Sequence, residues 1–310
     1  MQPFGGAAFQ RKARAGFAIA VIVAASDAAA ISISLTEKPE GEPLNLFGIP
    51  GNNAGPAPAS VTGGGTLSQV MSAAANYWEG VFLDSGPALD IDYGWRSLSS
   101  DTTLATALDF QTRDFGPPDA KRGIITFNNT ETAFTYYADP NPTMAEDFDT
   151  YFQTTAELGG GEMNTGRVFT DRTGPAAGAF DLFSIAVHEM GHLLGLDDID
   201  TDANPLEITS GPYAGASIAT LFETEGHLDG SAYPYSLMQR AANGDRRLAS
   251  DVDIAAIAEL SGFNDVDYGA ANLTMAPVPL QPAAALLAGA IGLMVMIRGN
   301  AGRAHRERAA

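Results

Sequence analysis

The chain contains no cysteine. That excludes a disulfide framework, so stability has to come from a core. A chain of 310 residues with 45% hydrophobic content can build one. Basic residues are scarce as well, with 17 Lys and Arg against 37 Asp and Glu and a formal net charge of −20. Phosphate backbones are held by clustered cations, so nucleic acid is not an expected partner. The acidity lies in the middle, where only Asp27 and Glu307 of the acidic residues fall outside 31–275. Such a surface favours solubility and suits a salty or calcium-containing medium. Apolar runs long enough to span a bilayer comfortably are missing too. The two that stand out, Ala15 to Ala25 and Ala283 to Ile297, are both short for that task. There is no internal repeat and no separate binding module.

Histidine is nearly absent, and its placement is informative. His188, His192, His227 and His305 are the full complement. Two of the four fall within His188-Glu189-Met190-Gly191-His192-Leu193-Leu194-Gly195. On a helix, residues four apart stand on one face, one turn apart. Two imidazoles at that spacing reach one zinc ion from one side. The glutamate between them can take a proton from a zinc-bound water. The context supports a helix. Leu182-Phe183-Ser184-Ile185-Ala186-Val187 is unbroken by Gly or Pro, Asp181 is a candidate N-cap and Gly195 a candidate stop. A core helix with two unrelated histidines is the bland alternative, and the rarity of histidine argues against it.

A zinc hydrolase site usually takes three protein ligands and leaves a fourth position open. Asp198 stands three residues after Gly195, and His227 lies in Glu225-Gly226-His227-Leu228-Asp229-Gly230 further on. Tyr235-Ser236-Leu237-Met238 follows. At this point the chain resembles the metzincin metalloproteases, with Ser236-Leu237-Met238 similar to their Met-turn. Compact members of the family place the third ligand where Asp198 stands. The leishmanolysin-like branch inserts a segment and places a histidine before the Met-turn methionine at the interval that separates His227 from Met238. Imidazole is the commoner ligand, so His227 is the expected third ligand and Asp198 the alternative. Asp198 also belongs to the acidic run Asp197-Asp198-Ile199-Asp200-Thr201-Asp202. That run offers hard oxygen ligands of the kind calcium prefers, though it lacks the spacing of an EF-hand loop.

The resemblance implies an α+β fold, with a twisted mixed sheet packed on the active-site helix and a C-terminal helical subdomain below the cleft. It also implies a zinc endopeptidase acting on protein or peptide substrates. His188, His192 and His227 would hold Zn²⁺, Glu189 would be the general base, and Met238 would support the site without ligating. Some metzincins add a Tyr ligand two residues after the Met, where this chain has Arg240. The competing reading from another class is an envelope or extracellular-matrix protein with a structural or degenerate zinc site. Hydrolysis of another amide, such as a peptidoglycan cross-link, is a third.

Both ends read as addresses. Arg11, Lys12 and Arg14, the run to Ala25, and Ala28-Ala29-Ala30 form a secretory signal over residues 1–30. Residues 276–310 begin with the Pro-rich Ala276-Pro277-Val278-Pro279-Leu280-Gln281-Pro282, continue in the apolar run and end in Arg298, Arg303, Arg306 and Arg308. This resembles the PEP-CTERM class of bacterial sorting tails in its Val-Pro-Leu-Pro-Ala form, with Gln281 inserted. The expected partners are therefore signal peptidase, an exosortase-like processing enzyme and, transiently, a membrane. The catalytic domain would occupy residues 31–275 outside the cytoplasm.

Within that domain, Ile31 to Leu35 and Leu89 to Gly94 alternate as strands, and residues 38–65 read as a long Gly/Pro/Asn-rich loop. Leu67, Val70, Met71, Ala74, Tyr77, Trp78 and Val81 follow helical spacing. Trp78 and Trp95 are expected in the core. Gly123 to Phe127 and Thr132 to Tyr137 read as strands. The second is the candidate for the edge strand that metzincins use to pair with substrate, an interior strand being the alternative. Ser250 and Asp253 form a capping box for a last helix ended by Gly262.

Overall fold

The computed structural model describes residues 31–44, 52–84, 88–100, 102–109, 121–130, 134–196, 204–221, 226–240 and 243–271. The signal-like segment 1–30, the tail 276–310 and Asp198 lie outside the described residues. In chain order the elements are β1 (Ile33–Glu37), β2 (Val61–Thr62), α1 (Leu67–Val81), β3 (Leu89–Arg96), β4 (Ala105–Asp109), β5 (Lys121–Asn128), β6 (Tyr136–Tyr137), β7 (Phe148–Glu157) and β8 (Glu162–Arg172). There follow β9 (Phe180–Asp181), α2 (Leu182–Gly191), β10 (Leu206–Glu207), β11 (Ser217–Ile218), β12 (Arg246–Leu248) and α3 (Asp251–Ser261). The class is α+β, as expected.

The main sheet has the order β1-β3-β5-β4. β1, β3 and β5 run parallel, and β4 pairs antiparallel with β5 at one edge. β3 buries Leu89, Ile91, Tyr93 and Trp95, the alternation that turns one face of a strand to a core. α1 starts where Thr66 and Gln69 close a capping box, and the apolar stripe from Leu67 to Val81 is buried. It is joined to α2 by its own aromatic: Trp78 is fully buried and its Nε1 donates to the carbonyl of Val187 at 2.9 Å. A long hairpin, β7 and β8, continues to β12 in a second antiparallel sheet. α3 starts at the Ser250–Asp253 capping box and ends at Gly262.

One expectation needs correction. Of the described residues Phe134 to Tyr137, Tyr136 and Tyr137 form a strand, and it is the middle one of the small sheet β2-β6-β9. Both tyrosines are buried, and Tyr136 Oη donates to the carbonyls of Leu104 and Asn128 at 2.9 Å. Paired with β2 on one side and β9 on the other, β6 has no free backbone edge. Among the described residues the edge strand beside the cleft is β4. Its sequence, Ala-Thr-Ala-Leu-Asp, carries little to distinguish it from a loop. The described parts of the segment 38–65, residues 38–44 and 52–65, are mostly irregular, as expected, with β2 near the end.

Candidate metal centre

α2 is built to project its C-terminal turn. Asp181 caps its start, accepting from the Ser184 amide at 3.0 Å and from Ser184 Oγ at 2.6 Å. Such a cap satisfies donors that no earlier turn can reach. The apolar run behind it is buried. His188 and His192 then stand one turn apart, with Nε2 to Nε2 3.0 Å. After His192 the backbone makes one wide turn through Leu196 in which Gly195 takes φ 126°. That angle belongs to glycine, and it lets the chain leave the helix abruptly behind the second histidine.

His227 arrives from far along the chain. Its carbonyl accepts from the Leu221 amide at 3.1 Å, and the next residue, Leu228, donates to the Met238 carbonyl at 3.0 Å. The third imidazole is thus pinned between two backbone segments, and one of them carries Met238. The three rings form a near-even triangle, with centroids 4.7, 4.8 and 5.3 Å apart. One nitrogen from each of His188, His192 and His227 lies within 4.8 Å of the others, close enough to share a metal ion. His192 and His227 are buried and His188 is partly exposed.

The environment keeps the rings in their ligand form. Burial first, then the neighbouring His227, pushes His188 down to about 3, against the opposing hydrogen bond to Leu237. His192 is driven well below the usual imidazole range by burial and by the other two rings. His188 Nδ1 is 2.7 Å from the Leu237 carbonyl, which accepts its proton and leaves Nε2 as the lone-pair nitrogen. His192 Nδ1 has a weaker counterpart in the Leu196 carbonyl at 3.4 Å.

The Ser236–Met238 turn is held by one buried carboxylate. Asp253 accepts from the Leu237 amide at 3.1 Å, the Met238 amide at 2.9 Å and the Ser236 hydroxyl. It also accepts from Ser250, through the amide at 2.7 Å and the hydroxyl at 2.6 Å. The residue read from sequence as a helix cap therefore clamps the turn that positions His188. Met238 is fully buried directly under α2. A Cβ placed on Gly191 would stand 2.6 Å from its sulfur, so only glycine fits between the two histidines at that point.

Above the centre lies a cleft of about 600 Å³, bordered by β4, α2 and the chain from Leu237 to Arg247. Glu189, buried beside the histidines, lines it. So do Ser184 and Ile185, one turn earlier on α2, and Leu104 to Leu108 along the open edge of β4. The sequence reading of His188, Glu189, His192, His227 and Met238 thus names residues that the fold gathers in one place. It missed β4, the clamp by Asp253 and the approach of Arg247. Arg247 had no signal of its own, being one of two adjacent arginines in a polar stretch.

Comparison of the chain with protein-family models, with curated proteins and with solved structures returned no match. The centre stands on its own geometry.

Proposed function

We propose that this chain is an exported zinc endopeptidase of the metzincin type, with His188, His192 and His227 as zinc ligands and Glu189 as general base. The observation that carries this reading is the convergence of three imidazoles beside a buried glutamate on the floor of an open cleft. An all-imidazole donor set suits zinc, and three ligands with access from a cleft match a catalytic site better than a closed structural one. A structural site has no use for Glu189. Bound zinc supplies Lewis acidity, making an attacking water acidic near neutral pH and taking up charge as a carbonyl is attacked.

The chain's own residues do the rest. Glu189 accepts the proton of the attacking water and passes it to the leaving amine. Leu237 holds the His188 ring in one orientation, and Met238 supports the helix from below without ligating. The outer edge of β4 offers backbone groups to an extended peptide, which adds to the sheet as a further strand. Arg240 stands where some metzincins have an additional Tyr ligand, so no such ligand is assigned. Residues 1–30 would serve export, and 276–310 would serve sorting at the envelope.

Metal analysis and peptide cleavage on the secreted form test this reading. Wild type and Glu189→Ala should each hold one zinc, with cleavage reduced by about 10²- to 10⁴-fold in the variant, the range for loss of a general base. His227→Ala should lose zinc and activity together. Retained turnover in Glu189→Ala removes its role. Retained zinc in His227→Ala, with loss in Asp198→Ala, moves the third ligand to Asp198.

A further inference from the structure

The wall of the cleft contains a cation that the reaction does not use. Arg247 is only 6% exposed, yet it lines the cleft with His188, Glu189 and Ser184. Its backbone amide donates to Ser184 Oγ at 2.7 Å, which fixes β12 against α2 one turn before His188. One turn of helix is about 5.4 Å. Arg247 therefore stands beside the place where a scissile bond would lie.

Its charge is only partly offset: Asp245 and Asp253 act on it through space, and burial outweighs them. Nη1 donates to the Ser236 carbonyl at 3.0 Å, and buried Nε has no partner. Among the described residues no carboxylate forms an ion pair with it. The oxygens of those two acids are directed to other donors. Asp253 is occupied by Ser236, Ser250, Leu237 and Met238, and Asp245 lies 3.8 Å from Arg172 Nε. A buried guanidinium without a counter-ion is costly, and natural proteins keep one where something will pair with it. The lining also holds Arg240 at the rim, the rival cation, and the carboxylates Glu189 and Asp245. Asp181 is tied to Arg246, and Ile185 and Leu237 are apolar.

We propose that Arg247 makes this part of the cleft a subsite for a carboxylate side chain, so that preferred substrates carry Asp or Glu next to the scissile bond, a specificity that presupposes the peptidase reading of the same cleft. The planar fork of Arg presents paired donors that match a carboxylate. The strongly acidic exterior does not contradict this. It disfavours acidic peptides everywhere except at the one place where a desolvated cation waits.

The test separates the subsite from the peptidase reading. Binding is measured by NMR titration of the zinc-loaded Glu189→Ala protein with the blocked tripeptides Ala-Glu-Ala and Ala-Gln-Ala. The Glu peptide should bind about tenfold tighter or more, as expected of one buried charge-assisted pair. The preference should fall to within about twofold of unity when Arg247→Gln is added with zinc content retained. A residue that merely braced the Ser236–Met238 turn would weaken zinc and both peptides alike, leaving the ratio unmoved. Equal binding of the two peptides by the parent protein overturns the subsite without recourse to any Arg247 variant. So does a preference that survives Arg247→Gln, or one that vanishes only in Arg240→Gln at the cleft rim. In parallel, wild-type enzyme digests a mixed peptide pool and its cleavage sites are mapped. Sites enriched in Asp or Glu at one flanking position support both readings. Cleavage without acidic preference overturns the subsite and leaves the peptidase standing. Absence of cleavage alongside Arg247-dependent binding overturns the peptidase and leaves the carboxylate site standing.

Discussion

Arg246 and Arg247 are neighbours on β12, both buried, and they serve opposite purposes. Successive residues of a strand face opposite sides. Arg246 turns inward, where Nη2 donates to Asp139 and Asp181 at 2.8 Å each and Nε donates to Asp181 at 3.1 Å. Nη1 donates to the carbonyls of Pro142, at 3.3 Å, and Met144. Its guanidinium also lies over the rings of Phe148 and Phe183, at 4.7 and 5.5 Å. Arg247 turns to the cleft with one side-chain hydrogen bond. Burial lowers the pKa of both. At Arg246 the carboxylates of Asp181 and Asp139 more than reverse it, whereas at Arg247 the more weakly coupled Asp245 and Asp253 do not. A charge satisfied on every side is architecture. A charge buried without its counter-ion is a place for something to arrive.

The comparison breaks most visibly at Arg246. Asp181 caps the metal helix, so Arg246 links that cap to Asp139 and to the loop at 142–144. Arg246→Met keeps much of the volume but strands two buried carboxylates. Removing one partner of a buried ion pair costs about 3–5 kcal/mol. Urea denaturation of the metal-free protein should show a loss of that size at unchanged m-value. A loss under about 1 kcal/mol would mean the carboxylates find other partners or protonate at little cost.

A smaller effect belongs to Asp253, which acts on Arg247 only through space while its oxygens hold the Ser236–Met238 turn. Asp253→Asn preserves shape but puts an amide group among five donors, so at least one of them faces a donor instead of an acceptor. An unsatisfied buried donor costs about 1–3 kcal/mol. Because Asp253 fixes the backbone of Leu237, whose carbonyl orients His188, zinc affinity should also fall, by about tenfold. Competition with a chromophoric chelator measures it. Lost stability with unchanged zinc affinity would sever the clamp from the metal centre.

Much of this was legible in the sequence, for identifiable reasons. α1 and α2 are set by local terms: apolar spacing in both, Asp181 as a cap and a glycine at the end of α2. β3 shows its alternation because it is half-buried. The histidines stood out because the chain has so few. What stayed hidden depends on long-range placement. β4 is an edge only because β5 is the last parallel strand. Asp253 reads as a cap because its second task is carried out on residues 236–238, distant in sequence. The division of labour between Arg246 and Arg247 is invisible in two identical letters. It follows from which face of β12 meets Asp139 and Asp181, contacts that span 107 and 65 residues.

The smallest expected effect is the sharpest contrast with Arg246. Arg247→Gln removes a desolvated charge that has no carboxylate partner and one hydrogen bond to the Ser236 carbonyl. The lost hydrogen bond costs about 1 kcal/mol. Relief from burying an unmatched guanidinium returns a similar amount. The stability of the metal-free protein should therefore change by less than about 1 kcal/mol, a fraction of the loss at Arg246, although the two side chains are chemically identical and adjacent. Paired urea titrations of Arg246→Met and Arg247→Gln measure the difference directly. If the Arg247 variant loses as much as its neighbour, its guanidinium is part of the framework that holds the Ser236–Met238 turn. The contrast between a structural and a receptive arginine would then dissolve. If it loses little or gains, the chain tolerates a stability-neutral cation in the wall of its cleft, and the reason for keeping it there is to be sought in what enters the cleft.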